Sequence, residues 1–241
     1  MVADGGPAGV SSKGAPASSL VARICGACVQ SVPVTGASVS LMTDTGNRST
    51  VYASDGVSGR LEDLQFDLGE GPGIDAFADR RPVLVADLGD PGDATSRGWP
   101  AFTPAACTTG ACAVFAFPLL LGAARLGVLL LYRDQPGALD PPQLARALRL
   151  ADSAFFALLD QLAGPTTASG EVEGQRHGTH VAFHRAQVYQ AAGMLTVQLG
   201  VTIEQAMVRL RGYAFASDRP VADVAAEIVG RILRLEEDNG G

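Results

Sequence analysis

Two near-continuous apolar runs, Ala111 to Leu121 and Arg125 to Tyr132, stand on either side of Gly122. Runs of that length and composition, parted by a turn residue, are the pattern of central strands, so the chain is committed to a fold built on a sheet. Upstream, Ala37 to Thr43 and Thr50 to Ser54 alternate polar and apolar residues around the turn signal Asp44-Thr45-Gly46-Asn47, which predicts an antiparallel hairpin. Pro82 to Asp87 reads as a further short strand. Helices are expected around this sheet. Leu20 to Val32 places Leu20, Ile24 and Cys28 on one stripe and is ended by Pro33 and Gly36. A short helical segment spans Gly59 to Phe66, and Pro72 sits at the first position of another that runs to Asp79. Between them, Leu68-Gly69-Glu70-Gly71-Pro72-Gly73 lacks the Lys and Ser/Thr of a phosphate loop, so it reads as a tight connection.

The stretch from Gly89 to Pro104, with Trp99 and Phe102, reads as a long loop over a cavity. Tyr52, Phe66, Trp99, Phe102 and Phe117 are the candidate lining of a small-molecule pocket, though residues of this kind more often serve as plain core. From Asp140 onward, Leu144, Leu148, Ala151, Phe155, Leu158 and Leu162 recur at alternating spacings of four and three. Such a seam serves either packing on the sheet or a helical dimer interface. Residues 163–178 are polar and rich in Gly, Ser and Thr, as a linker is.

Beyond the linker the period is helical throughout. Val181, His184, Val188, Ala191, Ala192, Leu195 and Leu199 form one stripe, with Phe183, Gln190, Gly193, Met194 and Val197 on the opposite face. A mid-helix glycine costs about 1 kcal/mol relative to alanine, so Gly193 implies that something approaches that backbone closely. Thr202 with Gln205 makes a capping box for a second helix that buries Ala206, Leu210 and Ala214. A turn at Ser217 to Pro220 leads to a third, with Val221, Val224, Ala225, Ile228 and Ile232 as its stripe. A sensor followed by three helices suggests a helix-turn-helix DNA reader, but Asp223 and Glu227 would push negative charge against phosphate. Cations and a stacking ring stand elsewhere, at Arg185, Arg209, Arg211, Arg219 and Tyr213. With Gln187, Gln190, Gly193 and Met194 they form the candidate nucleic-acid-binding set.

The net charge of −7 and pI near 4.9 give no whole-chain attraction for nucleic acid, so any such contact must be local. No run approaches the roughly 18 apolar residues of a membrane span, and no export signal is evident; a cytoplasmic protein is expected. Cys25, Cys28, Cys107 and Cys112 are then reduced thiols. They suit small buried hydrophobes better than a zinc or iron–sulfur site, because Cys25 and Cys28 fall inside a helix. His177, His180 and His184 lack cysteine or acidic partners for a metal. No nucleophile–base pair or nucleotide loop indicates catalysis, so a non-enzyme is expected. A thiol-dependent reductase and a protein-interaction module remain as rival readings, and the identity of any cofactor stays open.

The string L-G-E-G-P-G-I-D-A-F-A-D-R-R-P-V-L-V-A-D-L, followed by R-G-W-P-A-F, A-V-F-A-F-P-L and R-L-G-V-L-L-L-Y, resembles a GAF domain over Leu20 to Leu162. The resemblance implies an antiparallel sheet with helices on one side and a small-molecule pocket on the other, under the loops. All three histidines lie after this region, so a haem held by histidine is not expected there. The blocks Q-A-A-G-M-L, E-Q-A-M-V-R-L-R-G-Y-A and V-A-D-V-A-A-E-I-V resemble the ANTAR domain over Arg185 to Val229. That resemblance implies RNA as partner: such domains bind paired stem-loops in nascent transcripts and prevent a terminator from forming. It also implies two copies for two loops, and hence a homodimer. The chain departs from the pattern at Ala192, where many members have lysine. The expected class is α+β: 1–18 a disordered N-terminus, 19–162 the GAF-like domain, 163–178 the linker, 179–236 an all-α three-helix domain and 237–241 a disordered tail.

Overall fold

The computed structural model of the protein describes residues 19–43, 48–90, 92, 98–163 and 176–235, with side chains given outside 176–184. The expected disordered ends, the turn at 44–47, nearly all of the linker and the three histidine side chains lie outside the described residues.

Five strands form one antiparallel sheet in the order β2-β1-β5-β4-β3, from β1 (Gly36–Met42), β2 (Arg48–Ala53), β3 (Val83–Val85), β4 (Ala113–Leu121) and β5 (Ala124–Arg133). The two apolar runs are its long paired strands, joined through Gly122 in the left-handed conformation. Strand alternation sends their side chains to opposite faces. Phe115, Phe117, Leu119, Leu129 and Leu131 pack against α1 (Leu20–Ser31) and α5 (Pro141–Ala163). Val114, Ala116, Val128 and Leu130 face the other way, onto α2 (Gly56–Leu68), α3 (Pro72–Asp79) and α4 (Phe102–Thr108). A third apolar core belongs to α6 (Arg176–Leu199), α7 (Ile203–Ala216) and α8 (Val221–Val229).

Several elements differ from their sequence pattern for local reasons. Ser19 caps α1 by accepting from the Ala22 amide, which leaves Leu20 at the first turn exposed, and the buried stripe is Val21, Ile24, Cys25 and Cys28. Asp55 caps α2, so that helix starts at Gly56 rather than Gly59. The end of the expected loop, with the residues after it, forms α4. The Glu70 carboxylate makes this possible by accepting from the Ala101 and Phe102 amides at 2.7 Å each. Trp99 anchors the same corner by donating to Asp75 at 2.9 Å. Helix α8 stops at Val229, and Arg231 takes a φ of +59°, so Ile232 leaves the expected stripe and is 80% exposed. The seam on α5 divides: Ala151, Phe155 and Leu158 are buried, while Leu148 and Leu162 are exposed with Phe156 and Leu159.

Glu70→Ala removes the acceptor of two helix-end amides and should lower stability by about 1–2 kcal/mol. A urea-unfolding midpoint that falls at unchanged m-value checks this.

Candidate nucleic-acid interface

Helix α6 owes its position to the stripe Val188, Ala191, Ala192, Leu195 and Leu199, all buried against α7 and α8. Ala191 and Ala192 share this core with Ala206, Ala214 and Ala225, small side chains that let helices lie close together. The capping box that starts α7 is complete: Thr202 Oγ1 accepts from the Gln205 amide at 3.3 Å and Gln205 Oε1 from the Thr202 amide at 3.0 Å. With that stripe turned inward, Gln190, Gly193, Met194 and Val197 line a groove of about 630 Å³. Its far wall is the chain after α8, folded back so that Gln198 Nε2 donates to the Leu235 carbonyl at 2.7 Å. This brings Arg231 and Arg234 into the lining, which among the described residues holds no acidic side chain. A Cβ placed on Gly193 would meet no atom within 4 Å. The expected close approach is therefore not made by the described chain, and the glycine leaves the groove wall open.

The remaining candidates go elsewhere. Arg185 is only 6% exposed and turns to the sheet domain. Its Nη1 donates to Thr50 Oγ1 of β2 at 2.8 Å and its Nη2 to Asp63 Oδ1 of α2 at 2.9 Å, with the guanidinium 4.8 Å from the centre of the Phe66 ring. Arg211 donates from Nε and Nη2 to the Phe66 carbonyl at 3.1 and 2.8 Å. That carbonyl lies in the last turn of α2, where unpaired acceptors and the negative end of the helix dipole favour a cation. Gly69, the left-handed cap of α2, leaves space for it: a Cβ there would meet Arg211 Nη1 at 2.9 Å. Tyr189, edge-on to Phe66 at 5.7 Å, accepts from the Arg48 amide. Arg219 is engaged in a bidentate pair with Glu227 at 2.7 and 3.1 Å. Gln187 and Arg209 are half-buried, and Tyr213 is exposed.

The five candidate pocket aromatics are not brought together. Tyr52 and Phe117 lie on the α1/α5 side, Trp99 and Phe102 in the core across the sheet, and Phe66 in the core of the helical domain. Beneath α2 lies a buried polar cluster that composition did not foreshadow. Glu62 accepts from Ser38 Oγ at 2.7 Å and pairs with Arg48, whose Nε and Nη1 have no partner. The glycine-rich loop is indeed a connection: Gly73 donates to Gln65 Oε1 at 2.7 Å. Cys25 and Cys28 are buried in the α1 core, where desolvation pushes both thiols up, away from reactive thiolates. Among the described residues no three His, Cys, Asp or Glu side chains are grouped to hold a metal.

The family model of the GAF domain matches residues 15–159, and that of the ANTAR domain residues 182–229. The chain belongs to the GAF-domain family and carries an ANTAR domain behind its sensor, the organisation of a regulator of the ANTAR type. Among solved structures, a GAF domain/HD domain protein from Geobacter sulfurreducens is 12% identical, over 61% of this chain and 95% of that one, with a TM-score of 0.46. The GAF domain of a two-component sensor histidine kinase from Bacillus halodurans is 13% identical, over 63% of this chain and 100% of that one, at 0.45. No curated protein matches the chain. No helix among the described residues is long and apolar enough to cross a membrane.

Burial, with Asp63 close by, raises the Asp67 carboxyl to about 6, against the pull of Arg185 and Arg211. The folded protein thus holds this proton more tightly than the unfolded chain. The stabilisation is complete below the unfolded value of about 3.9 and fades as pH rises through about 6. Asp67→Asn should therefore melt with wild type at pH 4 and above it at pH 7.5, as thermal unfolding at the two pH values will measure.

Proposed function

We propose that this protein is an RNA-binding transcription antiterminator, in which the GAF domain perceives a small molecule or other signal and the ANTAR domain binds paired stem-loops in nascent RNA. The observation that carries this reading is the groove. Among the described residues the cleft is lined by Arg231 and Arg234 and by no carboxylate, the opposite of what a chain of net charge −7 displays on average, and it suits phosphate. Gln190 offers a donor and an acceptor for base edges, Met194 and Val197 an apolar floor for an unstacked base, and Gly193 the room to admit it. The activity is binding rather than catalysis, and a cytoplasmic site of action follows from a nascent transcript as target. Exposed Leu148, Phe156, Leu159 and Leu162 on α5 provide the apolar face for a homodimer that presents two ANTAR domains to two loops.

Titration of the full chain with tandem stem-loops, loop-mismatched RNA and duplex DNA tests the reading; indifference to loop sequence, or preference for the duplex, would sink it. Gly193→Leu should preserve or raise helix stability and remove RNA binding, since a Cβ at this position has open space beyond its own helix backbone and the rest of the side chain would extend into the groove. Arg231→Ala with Arg234→Ala should weaken binding across sequences and flatten the dependence of log K on log salt by about 2. Leu159→Glu should convert the dimer to monomer in native mass spectrometry.

A further inference from the structure

Two arginines of the candidate RNA set, Arg185 and Arg211, are held by the sensor, and neither lines the groove. Arg185 joins two elements at once, Thr50 on β2 and Asp63 on α2. Because its donors form a rigid planar fork, both bonds are made only at one spacing of α2 from β2. Arg211 closes the end of the same helix by way of the Phe66 carbonyl. Phe66 itself, 4% exposed, is a residue of the sensor chain buried in the core of the helical domain. A hydroxyl, a carboxylate and a carbonyl therefore take up the donors that a guanidinium would otherwise offer bidentately to a phosphate.

We infer that helix α2 of the sensor and RNA phosphate compete for the guanidinium groups of Arg185 and Arg211, so that this docked arrangement is a restrained form and its release is the step the sensor controls. The inference rests on the RNA-binding reading above and adds its regulation. In the docked protein RNA meets the groove and its rim arginines alone; on release it gains two further cations. A signal acts by altering the α2–β2 spacing. That junction is where Arg48 on β2 pairs with Glu62 on α2 and donates through its amide to Tyr189 on α6, so a change there reaches the dock directly.

Thr50→Val with Asp63→Ala removes both side-chain acceptors of Arg185 from the sensor side and leaves the helical domain's sequence intact. In the full chain this variant should bind the stem-loop RNA about tenfold more tightly at low salt, with a log K against log salt slope steeper by about 1–2 as extra phosphates are neutralised. Arg185→Ala and Arg211→Ala in that background should return the slope to the wild-type value. In wild-type protein, saturating RNA should speed backbone amide exchange across α2. Affinity and slope unchanged in the double variant, or α2 exchange unchanged by bound RNA, overturns the competition while leaving RNA binding in place. Absence of RNA binding in wild type and double variant alike, with α2 exchange showing the dock open in the variant, overturns the antiterminator reading itself.

Discussion

Phe66 is covalently part of the sheet domain and energetically part of the helical one. Its ring lies in the core of α6, α7 and α8, edge-on to Tyr189 and under the guanidinium of Arg185, while its carbonyl holds Arg211. Burying an aromatic side chain removes roughly 150–250 Å² from water. Helix α2 consequently has two packed sides. Leu61, Glu62 and Gln65 turn to the sheet side, and Asp63 and Phe66 to the helical domain.

Local periodicity explains what the amino-acid sequence made legible. The apolar runs around Gly122, the stripe through Ala191 and Leu195, and the Thr202–Gln205 box all depend on neighbours within a few residues, and each is found where the pattern puts it. Helix α4 escaped because its cap is Glu70, some thirty positions upstream, rather than a residue at its own start. Ile232 escaped because the reversal at Arg231 ends the stripe one turn early.

The candidate site was legible by half. Gln190, Gly193 and Met194 share a face by helical geometry alone, and they line one groove. The partners of Arg185 and Arg211 were not legible, because an arginine looks the same in sequence whether it faces a phosphate, a carboxylate or a carbonyl; only the fold shows which acceptor is near. Arg231 and Arg234 lie beyond the stripe, and the clue to them was their three-residue spacing just after Gly230. The scattered aromatics carry a similar lesson. Phe117 and Trp99 are both apolar in sequence, but strand alternation commits the first to one face of the sheet and the α4 corner holds the second on the other.

A residue lent by one domain to the core of another has a consequence for dissection. Cutting the chain in the 164–175 segment would leave the helical fragment with an aromatic-sized void beside Tyr189 and the sensor fragment with a bare phenyl ring on α2. Voids of that kind weaken the packing around them in proportion to their volume. In the docked arrangement the two halves thus share one core at Phe66, and a cut between them exposes apolar surface on both sides.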